Sequence, residues 1–110
     1  MAKRIAIITG ASSGLGKEFL KALLPDAPDF DEIWIIARRL EKLSAAASEC
    51  GAAAQKIRPI PMDLTETAAY EKLAELLRTE EADVRVLINN AGCGAVSYTH
   101  LRAHETEADL

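Results

Sequence analysis

The stretch Lys3-Arg4-Ile5-Ala6-Ile7-Ile8-Thr9-Gly10-Ala11-Ser12-Ser13-Gly14-Leu15-Gly16 decides the fold. Its first half is a short, Ile-rich apolar run, the pattern of a strand buried on both faces. Its second half is a glycine turn. Leu15, Phe19, Ala22 and Leu23 then recur at helical spacing until Pro25 ends the helix. Strand, glycine turn and helix in succession is the context in which a glycine motif binds phosphate. Gly10 permits the tight turn, Gly14 lets the backbone approach a pyrophosphate, and Gly16 lets the helix lie close on the sheet. Backbone N–H groups and the positive end of the helix dipole supply the anion site. The spacing is GxxxGxG rather than GxGxxG, and no Gly-Lys-Ser/Thr follows to make a P-loop. Alone, such a motif reads equally well as a flexible turn, so the residues beyond it must decide.

Outward from this stretch, Pro25 to Asp31 is a loop and Ile33 to Ile36 a second buried strand. Leu40, Leu43, Ala47 and Cys50 mark one face of a second helix, with Gly51 where a C-terminal cap belongs. Lys56 to Met62 is a third strand, and Pro59 and Pro61 place it at an edge. Thr65 is expected to cap a third helix, with Glu66 in its first turn and a buried stripe of Ala69, Leu73, Leu76 and Leu77. Val84 to Ile88 is a fourth buried strand. The order βαβαβαβ predicts an α/β fold, a doubly wound parallel sheet with right-handed crossovers and helices on both faces.

In such a fold the end of the second strand, about 20 residues beyond the glycine turn, meets the ribose of a bound adenosine. An acidic residue there would bind the 2′-hydroxyl of NAD. Here the strand ends Ala37-Arg38-Arg39. A guanidinium fork suits a 2′-phosphate, and no carboxylate repels it. The plain alternative is a solvated pair at a helix start, but cations there oppose the helix dipole.

Four motifs in order, Thr9 to Gly16, Ala37-Arg38-Arg39, Met62-Asp63-Leu64 and Asn89-Asn90-Ala91-Gly92, resemble those of the short-chain dehydrogenase/reductase family. The resemblance covers the chain up to Gly94 and implies a Rossmann-type sheet, here ending after its fourth strand. It implies that Gly10, Ser12, Ser13, Gly14, Leu15 and Gly16 wrap the pyrophosphate and ribose of NADP(H). Arg38 and Arg39 would hold the 2′-phosphate. The Asp63 carboxylate would accept from the adenine amino group, with Leu64 beside it. Asn90, Ala91 and Gly92 would close over the ribose, while Asn89 ties the central sheet together.

The implied activity is hydride transfer between NADP(H) and a carbonyl or secondary alcohol, with a small-molecule substrate and a homo-oligomeric full-length form. A non-catalytic protein that binds or senses NADP(H) on the same fold is the alternative. The family's chemistry needs a Ser and a Tyr-x-x-x-Lys. Neither Tyr70 with Lys72 nor Tyr98 with Arg102 satisfies that pattern. No catalytic residue is therefore assigned, and the chain is expected to be an inactive fragment.

The last stretch reads differently. Val96-Ser97-Tyr98-Thr99-His100-Leu101-Arg102-Ala103-His104-Glu105-Thr106 resembles the in-frame translation of a transposon-end sequencing adapter. Residues 1–94 are thus expected to be the front of a nucleotide-binding domain, and residues 95–110 a non-native tail. His100 and His104 stand at zinc-like spacing, but no cysteine or carboxylate cluster joins them, so no metal site is expected.

The bulk properties set bounds on partners. A chain of 110 residues holds one small domain at most. Its net charge of −4 gives no electrostatic reason to expect nucleic acid or an anionic membrane. Cys50 and Cys93 have neither metal nor disulfide-scaffold spacing. The apolar run after Lys3-Arg4 is too short for a signal peptide, and no stretch spans a bilayer, so a cytoplasmic location is expected.

Overall fold

The computed structural model describes residues 3–10, 14–89 and 98–102, with the backbone alone at 14, 15 and 98–102. The elements are β1 (Lys3–Thr9), α1 (Gly14–Leu23), a 3-10 segment (Leu24–Asp29), β2 (Glu32–Ala37) and α2 (Leu40–Ser48). A second 3-10 segment (Gly51–Lys56), β3 (Ile57–Pro61), α3 (Thr67–Thr79), β4 (Ala82–Asn89) and β5 (Tyr98–Arg102) follow. The sheet order is β3-β2-β1-β4-β5. The first four strands run parallel, and β3 takes the edge that its two prolines suit.

The strand sequences explain the layering. Ala6, Ile8, Ile33, Ile35, Val86 and Ile88 point to one face and pack with Leu20 and Leu23 of α1 and Leu43 and Ala46 of α2. Ile5, Ile7, Trp34, Ile36, Val84 and Leu87 point to the other and pack with Leu73 and Leu77 of α3. Val84 and Val86 are two residues apart yet face opposite sides. The pairing of β1 with β4 shifts at this point, Ile5 opposing Val84 and Ala6 opposing Val86, so Arg85 is the extra residue of a β-bulge. The chain moves outward through β1, β2 and β3 and then returns past β1 to β4. Right-handed crossovers send α3 to the face opposite α1 and α2. The reversal falls between β1 and β4, the topological switch point where such sheets open a ligand crevice at their carboxyl ends.

Several local expectations are corrected. The buried stripe of α1 passes through Gly16, Leu20 and the expected Leu23, with Phe19 partly buried against the core as expected, whereas Ala22 is exposed. Leu40 is 48 % exposed, because α2 begins past the carboxyl end of β2. Pro25 ends α1 by turning the chain into the 3-10 segment that also holds Pro28. Gly51 follows α2 with a φ of +62°, and nothing crowds the position of a Cβ there, so backbone conformation alone calls for glycine. Thr65 does not cap α3. Glu66 holds that position without a side-chain cap, and the Thr65 side chain turns back to Asp63.

The outer edge of β4 is also not open. β5 pairs antiparallel to it, with Asp83 opposite Arg102, Val84 opposite Leu101, Leu87 opposite Thr99 and Ile88 opposite Tyr98. A strand at residues 98–102 was not expected from their polar sequence. Among the described residues, no helix is long and apolar enough to cross a membrane.

Candidate nucleotide-binding site

The described residues of three of the motifs lie at the carboxyl ends of β1, β2 and β3, and Asn89 of the fourth ends β4. Gly10 ends β1 with a φ of +67°, a conformation that glycine adopts without strain. Its N–H donates to the Ile36 carbonyl at 2.8 Å, which locks the glycine turn to the end of β2. One residue further, the Ala37 carbonyl accepts from the Met62 N–H at 2.8 Å, which fixes the end of β3 beside the same point. α1 starts at Gly14, and Gly16 is buried in its first turn, as close packing on the sheet requires.

Arg38 and Arg39 follow β2 and are both exposed. Arg39 occupies the N-cap position of α2 with extended backbone and makes no side-chain cap. Its carbonyl accepts from the Leu43 N–H at 3.2 Å. The α2 amino end therefore offers N–H groups without the Ser, Thr, Asp or Asn that usually satisfies one of them. Two cations beside a positive helix end are mutually unfavourable; Glu41 in the first turn of α2 offsets part of this, and an anion bound there would relieve more.

Asp63 lies just past β3, half-exposed. Its Oδ1 accepts from the Thr65 hydroxyl at 2.6 Å and from the Thr65 N–H at 3.0 Å. These two bonds, helped by the nearby charge of Arg38, hold the carboxyl below its usual range, so it is ionised at neutral pH. Leu64 beside it is half-buried against the α3 side of the core, with Met62. At the β1–β4 junction the Thr9 hydroxyl, almost fully buried, donates to Asn89 Oδ1 at 2.9 Å. That bond joins the two strands on either side of the switch point. Ser12, Ser13, Asn90, Ala91 and Gly92, and the side chain of Leu15, lie outside the described residues, as do the side chains of Tyr98, His100 and Arg102 and all of His104.

The structure thus brings together Gly10, Arg38, Arg39, Asp63 and Leu64. Two further features escaped the sequence reading. One is the role of Thr65, although Asp-x-Thr is the spacing of an Asx turn and could have signalled it. The other is the exposed Leu40 next to the two arginines, for which the sequence offered no signal beyond its place at a helix start.

This arrangement is a parallel α/β sheet with a glycine turn beside its topological switch point, and comparison narrows it further. The model of the short chain dehydrogenase family matches residues 4–109, and the chain belongs to that family. It is 38 % identical over 91 residues to a very-long-chain 3-oxoacyl-CoA reductase of Coccidioides immitis (strain RS), covering 79 % of this chain and 25 % of the relative. The Pseudomonas aeruginosa RhlG/NADP active-site complex superposes with a TM-score of 0.66 at 33 % identity, over 84 % of this chain and 36 % of that one. A metagenomic short-chain oxidoreductase in complex with NADP gives a TM-score of 0.63 at 29 % identity, over 84 % and 41 %. The chain spans 25 % to 31 % of the length of the first curated relatives it matches.

Proposed function

We propose that this chain is the NADP(H)-binding front of an oxidoreductase that exchanges hydride between that cofactor and a carbonyl or secondary alcohol. The observation that carries this reading is the convergence of Gly10, Arg38, Arg39 and Asp63 on the carboxyl ends of three adjacent strands. The residues fit the cofactor. The glycine turn and the start of α1, with Ser12, Ser13, Gly14, Leu15 and Gly16, would hold the pyrophosphate. Arg38 and Arg39 would hold the 2′-phosphate at the uncapped start of α2. Asp63 and Leu64 would hold the adenine, and Asn90, Ala91 and Gly92 the ribose. When bound, the nicotinamide supplies or accepts the hydride.

The preference for NADP(H) over NAD(H) is supported by the two arginines and by the NADP held in similar structures. The 110-residue chain has no Tyr-x-x-x-Lys in its sequence and is proposed to bind without turning over. A cytoplasmic, homo-oligomeric full-length enzyme completes the reading. Residues 95–110 are proposed to be a non-native tail, on the adapter resemblance of Val96 to Thr106. Amplifying the source locus past the codon for Gly94 tests this, and recovering the codons for Tyr98 to Thr106 there overturns it.

Cofactor preference is tested by binding to the chain itself. A charge-assisted hydrogen bond contributes about 1.5–3 kcal/mol. Because Arg38 is exposed, the lower end applies, and NADPH should bind roughly tenfold tighter than NADH. Ala37→Asp with Arg38→Ala should reverse the order. Equal affinities for the two cofactors in the unaltered chain would refute the assignment.

A further inference from the structure

We infer that Thr65 is a positioning residue for base recognition: it pins one oxygen of Asp63 so that the other is presented to the 6-amino group of adenine. The inference rests on the reading of Asp63 as the adenine contact and adds the device that aims it. Both donors of Thr65, hydroxyl at 2.6 Å and backbone N–H at 3.0 Å, converge on Oδ1. Among the described residues, no other group donates to either oxygen. A carboxylate on a short side chain rotates freely about its last torsion unless something fixes it. Two donors on one oxygen fix both the rotation and the identity of the remaining acceptor.

The placement of Thr65 favours this role over a purely structural one. It does not cap α3, because Glu66 stands between it and the first helical residue. It is exposed and belongs to neither core cluster. Its hydroxyl makes one described hydrogen bond, and that bond goes to the candidate recognition group. The chemistry also predicts selectivity. With Oδ1 satisfied, Oδ2 is an acceptor that rewards a purine with a donor at position 6. A 6-oxo purine would bring an acceptor to the same place and leave the ionised carboxylate facing another lone pair.

The test compares NADPH with reduced nicotinamide hypoxanthine dinucleotide phosphate, which carries oxygen in place of the 6-amino group. Binding to the whole chain is measured by calorimetry or fluorescence. The unaltered chain should favour NADPH, and Asp63→Ala should abolish that preference. Thr65→Val keeps the shape and the backbone donor but removes the hydroxyl. It should cut the preference by about threefold or more, mainly by weakening NADPH. Thr65→Ser should restore it. Thermal melts of both Thr65 variants show whether folding is intact.

The outcomes separate the two ideas. If Asp63→Ala abolishes the preference while Thr65→Val leaves it alone, or weakens both dinucleotides equally, the positioning role is wrong and the adenine reading stands. If Asp63→Ala leaves the preference intact, or the unaltered chain binds neither dinucleotide, the adenine reading itself fails and the positioning role fails with it.

Discussion

Substituting Glu80 by Gln should lower stability by an amount that depends on pH in a direction fixed by the structure. Glu80 follows the last turn of α3, where a negative charge is ordinarily unfavourable. It is tolerated because two cations meet it. Lys3 Nζ, at the start of β1, lies 2.6 Å from Oε1, and the Arg58 guanidinium of β3 bonds both oxygens. Glu32 at the start of β2 joins both cations at 3.4 and 3.6 Å and accepts from the indole N–H of buried Trp34 at 2.8 Å. Arg58 also lies over the Trp34 ring, 5.1 Å from its centre. The network ties the amino ends of three strands to the end of α3.

A fully buried pair of charge-assisted bonds would be worth about 3–6 kcal/mol, at about 1.5–3 each. The Glu80 side chain is 18 % exposed, but those of Lys3 and Arg58 are 31 % and 37 % exposed, so solvent screens a good part. Roughly 1–3 kcal/mol is the expected loss at neutral pH. For a domain of this size that lowers the melting temperature by roughly 5–20 °C.

Burial alone would push the Glu80 carboxyl up, but the bonds from Lys3 and Arg58 outweigh it and hold the carboxyl below its usual range. The stabilisation is therefore complete above the unfolded value of about 4.3 and is lost as pH falls through the lower folded value. The gap between Glu80→Gln and the unaltered chain should be full at pH 7 and close progressively below about pH 4. Melts followed by circular dichroism and by Trp34 fluorescence from pH 7 to 3 measure it. Superimposable melts at pH 7, or a gap that stays constant down to pH 3, would show that Glu80 is a solvated surface acid and refute the reasoning.

Two further outcomes are expected. Thr9→Val removes the donor to Asn89 at a site nearly free of solvent, so it should cost about 1–3 kcal/mol in denaturant unfolding; an unchanged midpoint would mean that Asn89 finds another donor. Deleting residues 95–110 uncovers the outer edge of β4 and should make the chain self-associate in sedimentation, while NADPH affinity stays the same; a monomeric truncated chain would show that the edge is protected in some other way.

The parts of the fold that could be read from the sequence are those governed by simple periodicities. Ile5 to Ile8 and Ile33 to Ile36 read as strands buried on both faces, and every one of those residues is buried. Pro59 and Pro61 gave the edge position of β3, since an imino nitrogen cannot donate to a neighbour. The helix stripes were read less well at their ends. Leu40 fits the spacing of Leu43 and Ala47, but spacing carries no information about where the sheet stops. Thr65 was misread for a related reason. Thr followed by Glu near a helix start is the composition of a cap, and composition does not distinguish a hydroxyl turned forward from one turned back to Asp63. The bulge at Arg85 was hidden because alternating Val84 and Val86 reads as one face, and only the register against Ile5 and Ala6 splits them.

β5 shows the limit of sequence reading in another way. Strand pairing is made by backbone groups, and the outer edge of β4 carries a row of them beside Val84, Val86, Leu87 and Ile88, all buried. Such an edge gains from almost any extended segment that reaches it, with little demand on side chains. The register across the pair shifts between Val84 and Leu87, where one residue of β5, His100, stands opposite two of β4, Arg85 and Val86. This is the region of the bulge that serves the pairing with β1, so the edge keeps the shape set by its inner neighbour and β5 adapts to it. Pairing of residues 98–102 is therefore a property of β4 more than of the segment that pairs, and a polar sequence with no strand periodicity is compatible with it. By the same argument the strand is neutral on the origin of residues 95–110. If the edge alone drives pairing, replacing Tyr98 to Arg102 by an unrelated five-residue segment of similar strand propensity should preserve the monomer, whereas inserting proline at Thr99 or Leu101 should not.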